Sequence, residues 1–195
     1  MNRNRLFGIV VIFIVSFFLT GSTTFTEQGS HCYAVITPVN TESDEYSQVT
    51  EIKCFDSFSD SIYAATQGHV QLEKIVHPES VTDEILNYGN GENTLDSQIV
   101  IGIDWDYSGY WGASYTWVST SGTGCTSTIS FNRPTMPSNW DNRVSSARGY
   151  SGCNYFYHYA NTNFGGASIA CSTSGCSSMG AINNATSSEK WRYNP

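Results

Sequence analysis

The sequence contains little positive charge. Its 195 residues include nine Lys and Arg against 17 Asp and Glu, which gives a formal net charge of −8. Lys53 and Lys74 are the sole basic residues between 27 and 96, so an acidic segment precedes a nearly neutral remainder. Nucleic-acid binding requires a stripe or patch of Lys and Arg. We therefore expect no nucleic-acid partner.

The sequence also lacks the short motifs of common catalytic chemistries. It contains no G-x-S-x-G nucleophile turn, no H-E-x-x-H zinc-protease motif and no phosphate-binding P-loop. The four histidines are scattered, and no spacing places an acid or a nucleophile beside His158. A zinc site is disfavoured because no C-x-x-C pair occurs. We predict that the protein is not an enzyme and that its histidines are surface or packing residues.

The one long apolar run lies at the N-terminus. Arg3 and Arg5 precede the mostly apolar residues 6–19, and small polar residues follow as far as 26. This run is short for a membrane span and has the order of a secretory signal. We predict a signal peptide at residues 1–26, a secreted mature protein and no membrane attachment after its removal. An uncleaved anchor is the alternative, because no small-x-small cleavage site is evident.

Six cysteines lie after the predicted signal. An even number in an exported chain indicates disulfides, although fifteen pairings are formally possible. Their order along the chain suggests three pairs: Cys32–Cys54, Cys125–Cys153 and Cys171–Cys176.

Residues 27–76 have the pattern of a small α+β unit. Apolar stretches at 33–36 and 49–52 predict two strands that the first disulfide would tie. Ser57 and Asp60 resemble the start of a helix, and Gly68 resembles its end. We predict an acidic linker at residues 77–97 and a separate β domain at residues 98–195.

Two hexapeptides share one pattern of short polar side chains. The form (N/D)-(N/D)-x-x-(S/T)-S occurs at residues 141–146, and again at residues 183–188. An aromatic-x6-Gly-x-Ser stretch precedes each copy, beginning at Trp105 and at Tyr159. Short oxygen-bearing side chains in a loop suit a hard cation such as Ca²⁺. One copy alone would be explained by loop residues that bond their own backbone, but two copies in step with two hairpin stretches favour calcium.

This order of hairpin, polar loop, hairpin and polar loop resembles the βγ-crystallin family. The resemblance covers residues 98–195 and implies a mainly β fold, a Greek-key β-sandwich of two four-stranded keys. The small α+β segment tied by a disulfide would precede it. The aromatic residues of the hairpin stretches are expected to pack the sandwich.

The resemblance further implies two calcium sites, each shared between the keys. Matching positions assign the ligands to Asn142, the Arg143 carbonyl and Ser145 in the first motif, and to Asn184, the Ala185 carbonyl and Ser187 in the second. Asp141 and Asn183 open the motifs, and they shape the loops or add an oxygen. Within the motifs only Asp141 carries a carboxylate, and Glu189 stands just beyond the second. Since affinity rises with ligand charge, we expect dissociation constants of about 10⁻⁵ to 10⁻³ M.

These features predict a secreted calcium-binding protein with a structural or protective role. The alternative is a secreted peptidase inhibitor, since small bacterial metalloproteinase inhibitors of crystallin-like fold are similar to this chain. Its partner would be an extracellular protease, and its reactive segment would lie at residues 119–124 or 134–137. A third hypothesis makes the acidic residues 27–96 a pro-region or adaptor.

Overall fold

A computed structural model of the protein describes residues 30–73, 77–88 and 98–195. The predicted signal peptide and residues 89–97 of the predicted linker lie outside the described residues. Within the described ranges, no helix combines the length and the apolar character that a bilayer span requires.

Ten strands and one regular α-helix make up the described part of the chain. The strands are β1 (His31–Ile36), β2 (Val39–Asn40), β3 (Val49–Phe55), β4 (Ile99–Tyr107), β5 (Trp111–Ser119), β6 (Ile129–Arg133), β7 (Ser146–Gly149), β8 (Tyr155–Asn161), β9 (Gly165–Cys171) and β10 (Ser188–Arg192). The helix is α1 (Phe58–Ala65), and short helical turns lie at Pro78–Ser80, Glu84–Tyr88 and Gly180–Ile182.

The strands form two five-stranded sheets whose order shows a pair of Greek keys. The first sheet runs β3-β1-β5-β4-β7 and the second β2-β6-β10-β8-β9. Strand β6 follows β5 in the chain but pairs with β10 in the opposite sheet. In return, Cys176 of the second key forms an antiparallel bridge with Ala147 on β7. Each key thus lends its third segment to the other sheet, and the predicted mainly β Greek-key fold is confirmed.

Two details differ from the sequence-based expectation. The strand predicted near residues 176–179 is reduced to the single bridge at Cys176. The strands from residues 27–76 join the sandwich, because β1 pairs in parallel with β5 and β2 pairs with β6. Strand β1 has buried side chains on both of its faces, so it needs cover on two sides. Each sheet consequently has five strands instead of four.

Helix α1 begins and ends where the sequence predicted. Ser57 caps it, with the side-chain oxygen accepting a hydrogen bond from the Asp60 N–H at 3.1 Å. After Ala65 the chain turns through Gly68, whose φ of +85° suits a residue without a Cβ. The Gly68 N–H donates to the Tyr63 carbonyl at 2.7 Å and closes the helix.

All three predicted disulfides form: Cys32–Cys54, Cys125–Cys153 and Cys171–Cys176. The first ties β1 to β3 at a directly paired position of the sheet. The sheets pack face to face around fully buried aromatic rings, and Trp191 of the second sheet reaches Gly102 of the first. A Cβ at Gly102 would lie 2.3 Å from the Trp191 ring, so this close approach requires glycine.

Candidate functional site

The two hexapeptides form loops with the same burial. In each, the first two residues are exposed, the third is half-buried and the last three are buried. The second residue has a left-handed backbone in both, with φ of 61° at Asn142 and 54° at Asn184. Asparagine tolerates this conformation better than most residues, which explains its place in both copies.

Backbone hydrogen bonds join the two loops by a local two-fold symmetry. The Asn142 N–H donates to the Thr186 carbonyl at 3.0 Å, and the Asn184 N–H donates to the Val144 carbonyl at 3.0 Å. Each loop therefore supports the backbone of the other, and the two motifs form a single unit.

Each loop is also attached to the hairpin that precedes it. The Ser145 N–H donates to the Trp105 carbonyl and the Ser187 N–H to the Tyr159 carbonyl, both at 2.8 Å. The aromatic residues that mark the two sequence repeats thus hold equivalent places. The contact is the same in both keys although the chain between its partners differs in length, with 40 residues from Trp105 to Ser145 and 28 from Tyr159 to Ser187.

The last serine of each motif closes the hairpin turn. Ser146 Oγ donates to the Tyr107 carbonyl at 2.6 Å and accepts a hydrogen bond from the Tyr110 N–H at 2.9 Å. Ser188 Oγ makes the same pair of contacts in the second key, to the Asn161 carbonyl at 2.6 Å and from the Phe164 N–H at 2.9 Å. These hydroxyls are used by the hairpins, so the final motif position is structural.

Side chains of the predicted ligand set meet across the two loops. Ser145 Oγ donates to Asn184 Oδ1 at 2.8 Å, which brings a hydroxyl of the first motif to an amide of the second. Asn142 Nδ2 donates to Asp141 Oδ2 at 3.0 Å on the exposed rim of the first loop. Asn183 is also exposed, at the matching rim of the second loop.

The two loops differ in charge. Arg143 forms an ion pair with Asp106 at 2.9 Å, and its guanidinium also donates to the Asn139 carbonyl at 3.0 Å. The second motif has Ala185 at the matching position. The first loop therefore contains its own cation next to a carboxylate, whereas the second loop is neutral.

Glu189 does not lie near the second loop's exposed oxygens, contrary to what its sequence position suggested. It is fully buried on β10, where alternate residues face the opposite sheet. There it meets His158 of β8, with 3.2 Å between Glu189 Oε1 and His158 Nε2. Asp104 of β4 completes a buried cluster, with Oδ1 at 3.1 Å from the same nitrogen. Trp117 donates its indole N–H to Asp104 Oδ2 at 2.8 Å.

The sequence interpretation missed this cluster, although two signals pointed to it. Asp104 interrupts the mostly apolar run at residues 99–105, and a charged residue inside such a run needs a partner. His158 and Glu189 each lie two residues from a buried aromatic residue, Phe156 and Trp191, on the inward face of a strand. The expectation that no acid would join His158 is therefore wrong.

The environment of the cluster raises the pKa values of both His158 and Glu189. Burial opposes charge on the imidazole, but Glu189 and Asp104 outweigh it and raise the pKa of His158 to about 10. Burial raises the pKa of the Glu189 carboxyl, and the charge of Asp104 adds to the rise.

The segments considered for protease inhibition are largely covered. Residues 119–124 include none that is exposed, and in residues 134–137 Thr135 alone is exposed. An inhibitory segment that enters a protease cleft would have to present several consecutive side chains. Neither segment has that form.

Comparison with known proteins identifies two similar solved structures. One is a βγ-crystallin from an archaeon, with 19% identity over 47% of this chain and 96% of that one, and a TM-score of 0.35. The other is the N-terminal domain of protein S, with 17% identity over 49% of this chain and 98% of that one, and a TM-score of 0.35. No family model and no curated protein matches the sequence. The exchanged third segments and the paired hairpin loops of residues 98–195 form the double Greek key that the sequence predicted.

Proposed function

We propose that this chain is an exported calcium-binding protein whose two Ca²⁺ sites stabilise it for a structural or protective role outside the cell. The observation that carries the proposal is the 2.8 Å contact between Ser145 Oγ and Asn184 Oδ1. It joins one candidate ligand from each motif, 39 residues apart in sequence. The contact places a ligand proposed for one ion beside a ligand proposed for the other, so the two motifs contribute to one cation-binding region.

The residues present fit a weakly bound hard cation. Asn142, the Arg143 carbonyl and Ser145 would hold one ion, and Asn184, the Ala185 carbonyl and Ser187 the other. These are amide, carbonyl and hydroxyl oxygens, which Ca²⁺ accepts and which carry no charge. A bound ion would supply the positive charge that draws both loops together.

The electrostatic surroundings limit the affinity. Asp141 is the single carboxylate within the motifs, and the Asp106 carboxylate is already paired with Arg143. Glu189 is buried in the core and contributes no ligand to the loops. We therefore expect dissociation constants of about 10⁻⁴ to 10⁻³ M, in the range of extracellular modules.

Export is part of the same proposal. Three disulfides are typical of proteins that mature in an oxidising compartment. A protein outside the cell meets calcium at concentrations that fill weak sites, so low affinity is compatible with a stabilising role.

A calcium titration of thermal stability tests the proposal. At ten to a hundred times the dissociation constant, each ion should stabilise the fold by about 1–3 kcal/mol. This corresponds to a rise of about 2–4 °C in Tm per kcal/mol for a chain of this size. The rise should be absent with EGTA. Ser145→Arg combined with Ser187→Arg should abolish it, because a cation then occupies each loop.

Matched variants separate lost ligands from lost structure. Asn142→Gly and Asn184→Gly remove the amide oxygens while keeping the left-handed backbone, so they should weaken the calcium response without unfolding the loops. Ser172→Arg places one Arg at an exposed turn outside the motifs and should leave the response intact. An unchanged Tm of the wild-type protein in millimolar Ca²⁺ would refute the proposal.

A further inference from the structure

The buried cluster brings together three side chains that could each supply a ligand to a metal ion. Asp104, His158 and Glu189 are each 0% exposed, and one ligand atom from each lies within 4.8 Å of the others. His158 donates at most one hydrogen bond through Nε2, and its contact with Asp104 satisfies the hydrogen-bond geometry. Both oxygens of Glu189 are buried and accept no hydrogen bond among the described residues. A buried carboxylate without donors is an arrangement that a cation would satisfy.

The formal charge of the cluster fits one divalent ion. Two carboxylates and a neutral imidazole carry a charge of about −2, which a 2+ ion cancels without any proton. Such neutrality matters because an unbalanced charge in an apolar core is strongly unfavourable. The rings of Phe156 and Trp191 both pack against the His158 ring.

The ligand types and their spacing select zinc over calcium. His158 Nε2 lies 3.1 Å from Asp104 Oδ1 and 3.2 Å from Glu189 Oε1. Ligands of a tetrahedral zinc ion with bonds near 2.0 Å stand about 3.3 Å apart, so these separations match edges of that tetrahedron. Calcium takes six to eight oxygen ligands at longer distances, which this nitrogen-containing cluster does not provide.

We propose that Asp104, His158 and Glu189 bind a structural zinc ion that joins the two sheets inside the core. A water molecule would complete the coordination, and the Trp117 indole orients Asp104 through its 2.8 Å hydrogen bond. The site lies on inward-facing positions of β4, β8 and β10, away from the exposed oxygens of the motif loops. None of its three protein ligands belongs to the calcium motifs.

Metal analysis of the exported chain tests the proposal directly. Protein expressed with zinc in the medium, or refolded with zinc, should contain about one zinc per chain after dialysis against EDTA. The ion should leave when the protein is unfolded in the presence of the chelator, because the site is closed in the folded state. Refolding with Co²⁺ should produce the visible absorption of a tetrahedral cobalt centre with a nitrogen ligand.

Isosteric variants identify the ligands. His158→Gln and Glu189→Gln should each reduce the retained zinc at least about tenfold, since each removes one of three protein ligands. His69→Gln and Glu42→Gln make the same chemical changes at exposed positions and should retain full zinc. Ser145→Arg should also retain it, which distinguishes this site from the calcium loops.

Two results would overturn the proposal. One is wild-type protein that takes up no zinc or cobalt, whether during expression or on refolding. The other is undiminished zinc in His158→Gln and Glu189→Gln. If these variants do not fold, the cobalt-substituted wild-type protein provides the test. Its spectrum should show a histidine nitrogen bound to the metal, and a centre without one refutes the site.

Discussion

Trp117 donates its indole N–H to Asp104 Oδ2 at 2.8 Å, and both side chains are fully buried. The two residues lie on neighbouring strands of the first sheet, and Asp104 also contacts His158 of the second. Because a buried carboxylate is costly unless it accepts hydrogen bonds, the indole helps the core to hold this acid.

Replacing this indole should destabilise the fold. Trp117→Phe removes the donor and part of the ring volume, so we expect a loss of about 2–4 kcal/mol in the free energy of unfolding. Urea denaturation measures it. The control is Trp111→Phe, at a residue 45% exposed, which should change stability by less than about 0.5 kcal/mol. Equal effects of the two substitutions would contradict the role assigned to Trp117.

The stability of the metal-free protein should fall as the pH rises above neutrality. The pKa values of His158 and Glu189 in the folded state lie above their ordinary values of 6.5 and 4.5. A group with a raised folded pKa contributes stability fully below its unfolded pKa, and this contribution is lost as the pH rises through the folded value. For His158 the loss extends from about pH 6.5 towards pH 10.

Urea denaturation between pH 6 and pH 9.5 checks this pH dependence, with His158→Gln as the comparison. The variant should show a flatter profile, because it lacks one of the two groups. A wild-type profile that rises with pH over this interval would show that the cluster does not hold its protons in the folded state.

The disulfides should contribute differently to the free energy of unfolding, according to the length of the loop that each closes. Cys125–Cys153 spans 28 residues and Cys171–Cys176 spans five. Loop-closure entropy predicts about 3–4 kcal/mol from the first and about 2 kcal/mol from the second. Paired Cys→Ser variants, compared by urea denaturation, measure the two contributions. A larger loss from the short loop would contradict the entropic explanation.

Gly112 should be intolerant of a side chain. Its φ is +85°, and a Cβ there would lie 2.2 Å from Asp106 Oδ1. Gly112→Ala combines backbone strain with this clash, so we expect a loss of about 2–4 kcal/mol. Gly180→Ala isolates the cost of backbone strain from that of the clash, because φ is +52° and nothing lies within 4 Å of the added Cβ. That control should lose about 1–2 kcal/mol, and thermal unfolding of both variants measures the two losses.

A carboxylate added to the second loop should strengthen calcium binding. Asn184→Asp keeps the acceptor for Ser145 Oγ and adds a negative charge, so we expect the dissociation constant to fall roughly tenfold. Calorimetric titration measures it. Asn194→Asp adds the same charge at an exposed position near the C-terminus and should leave the affinity unchanged. Equal gains from both substitutions would indicate general electrostatic attraction instead of a site.

The features that the sequence predicted well depend on local patterns. The cap of α1 at Ser57 and its end at Gly68 follow from backbone chemistry within a few residues. The repeated hairpin and loop motifs likewise carry their own geometry, since Asn142 and Asn184 occupy matching left-handed positions. Such local preferences survive in the folded chain, so the double Greek key was predictable.

The buried cluster depended instead on which strands meet across the core. Asp104, His158 and Glu189 are distant in sequence. The alternation of side chains along a strand predicts that each faces inward, but it does not predict which residues they contact. The joining of β1 to β5 was hidden for the same reason, because parallel pairing leaves no local turn signal.

By itself, the sequence determined two repeated units, because hairpin turns, left-handed asparagines and closing serines act over short distances. Only the tertiary structure decided that one motif's serine meets the other motif's asparagine, and that Glu189 points into the core instead of towards a loop. Strand alternation decides the direction of Glu189, and sheet packing decides its neighbours. Both are set by contacts between residues far apart in the chain.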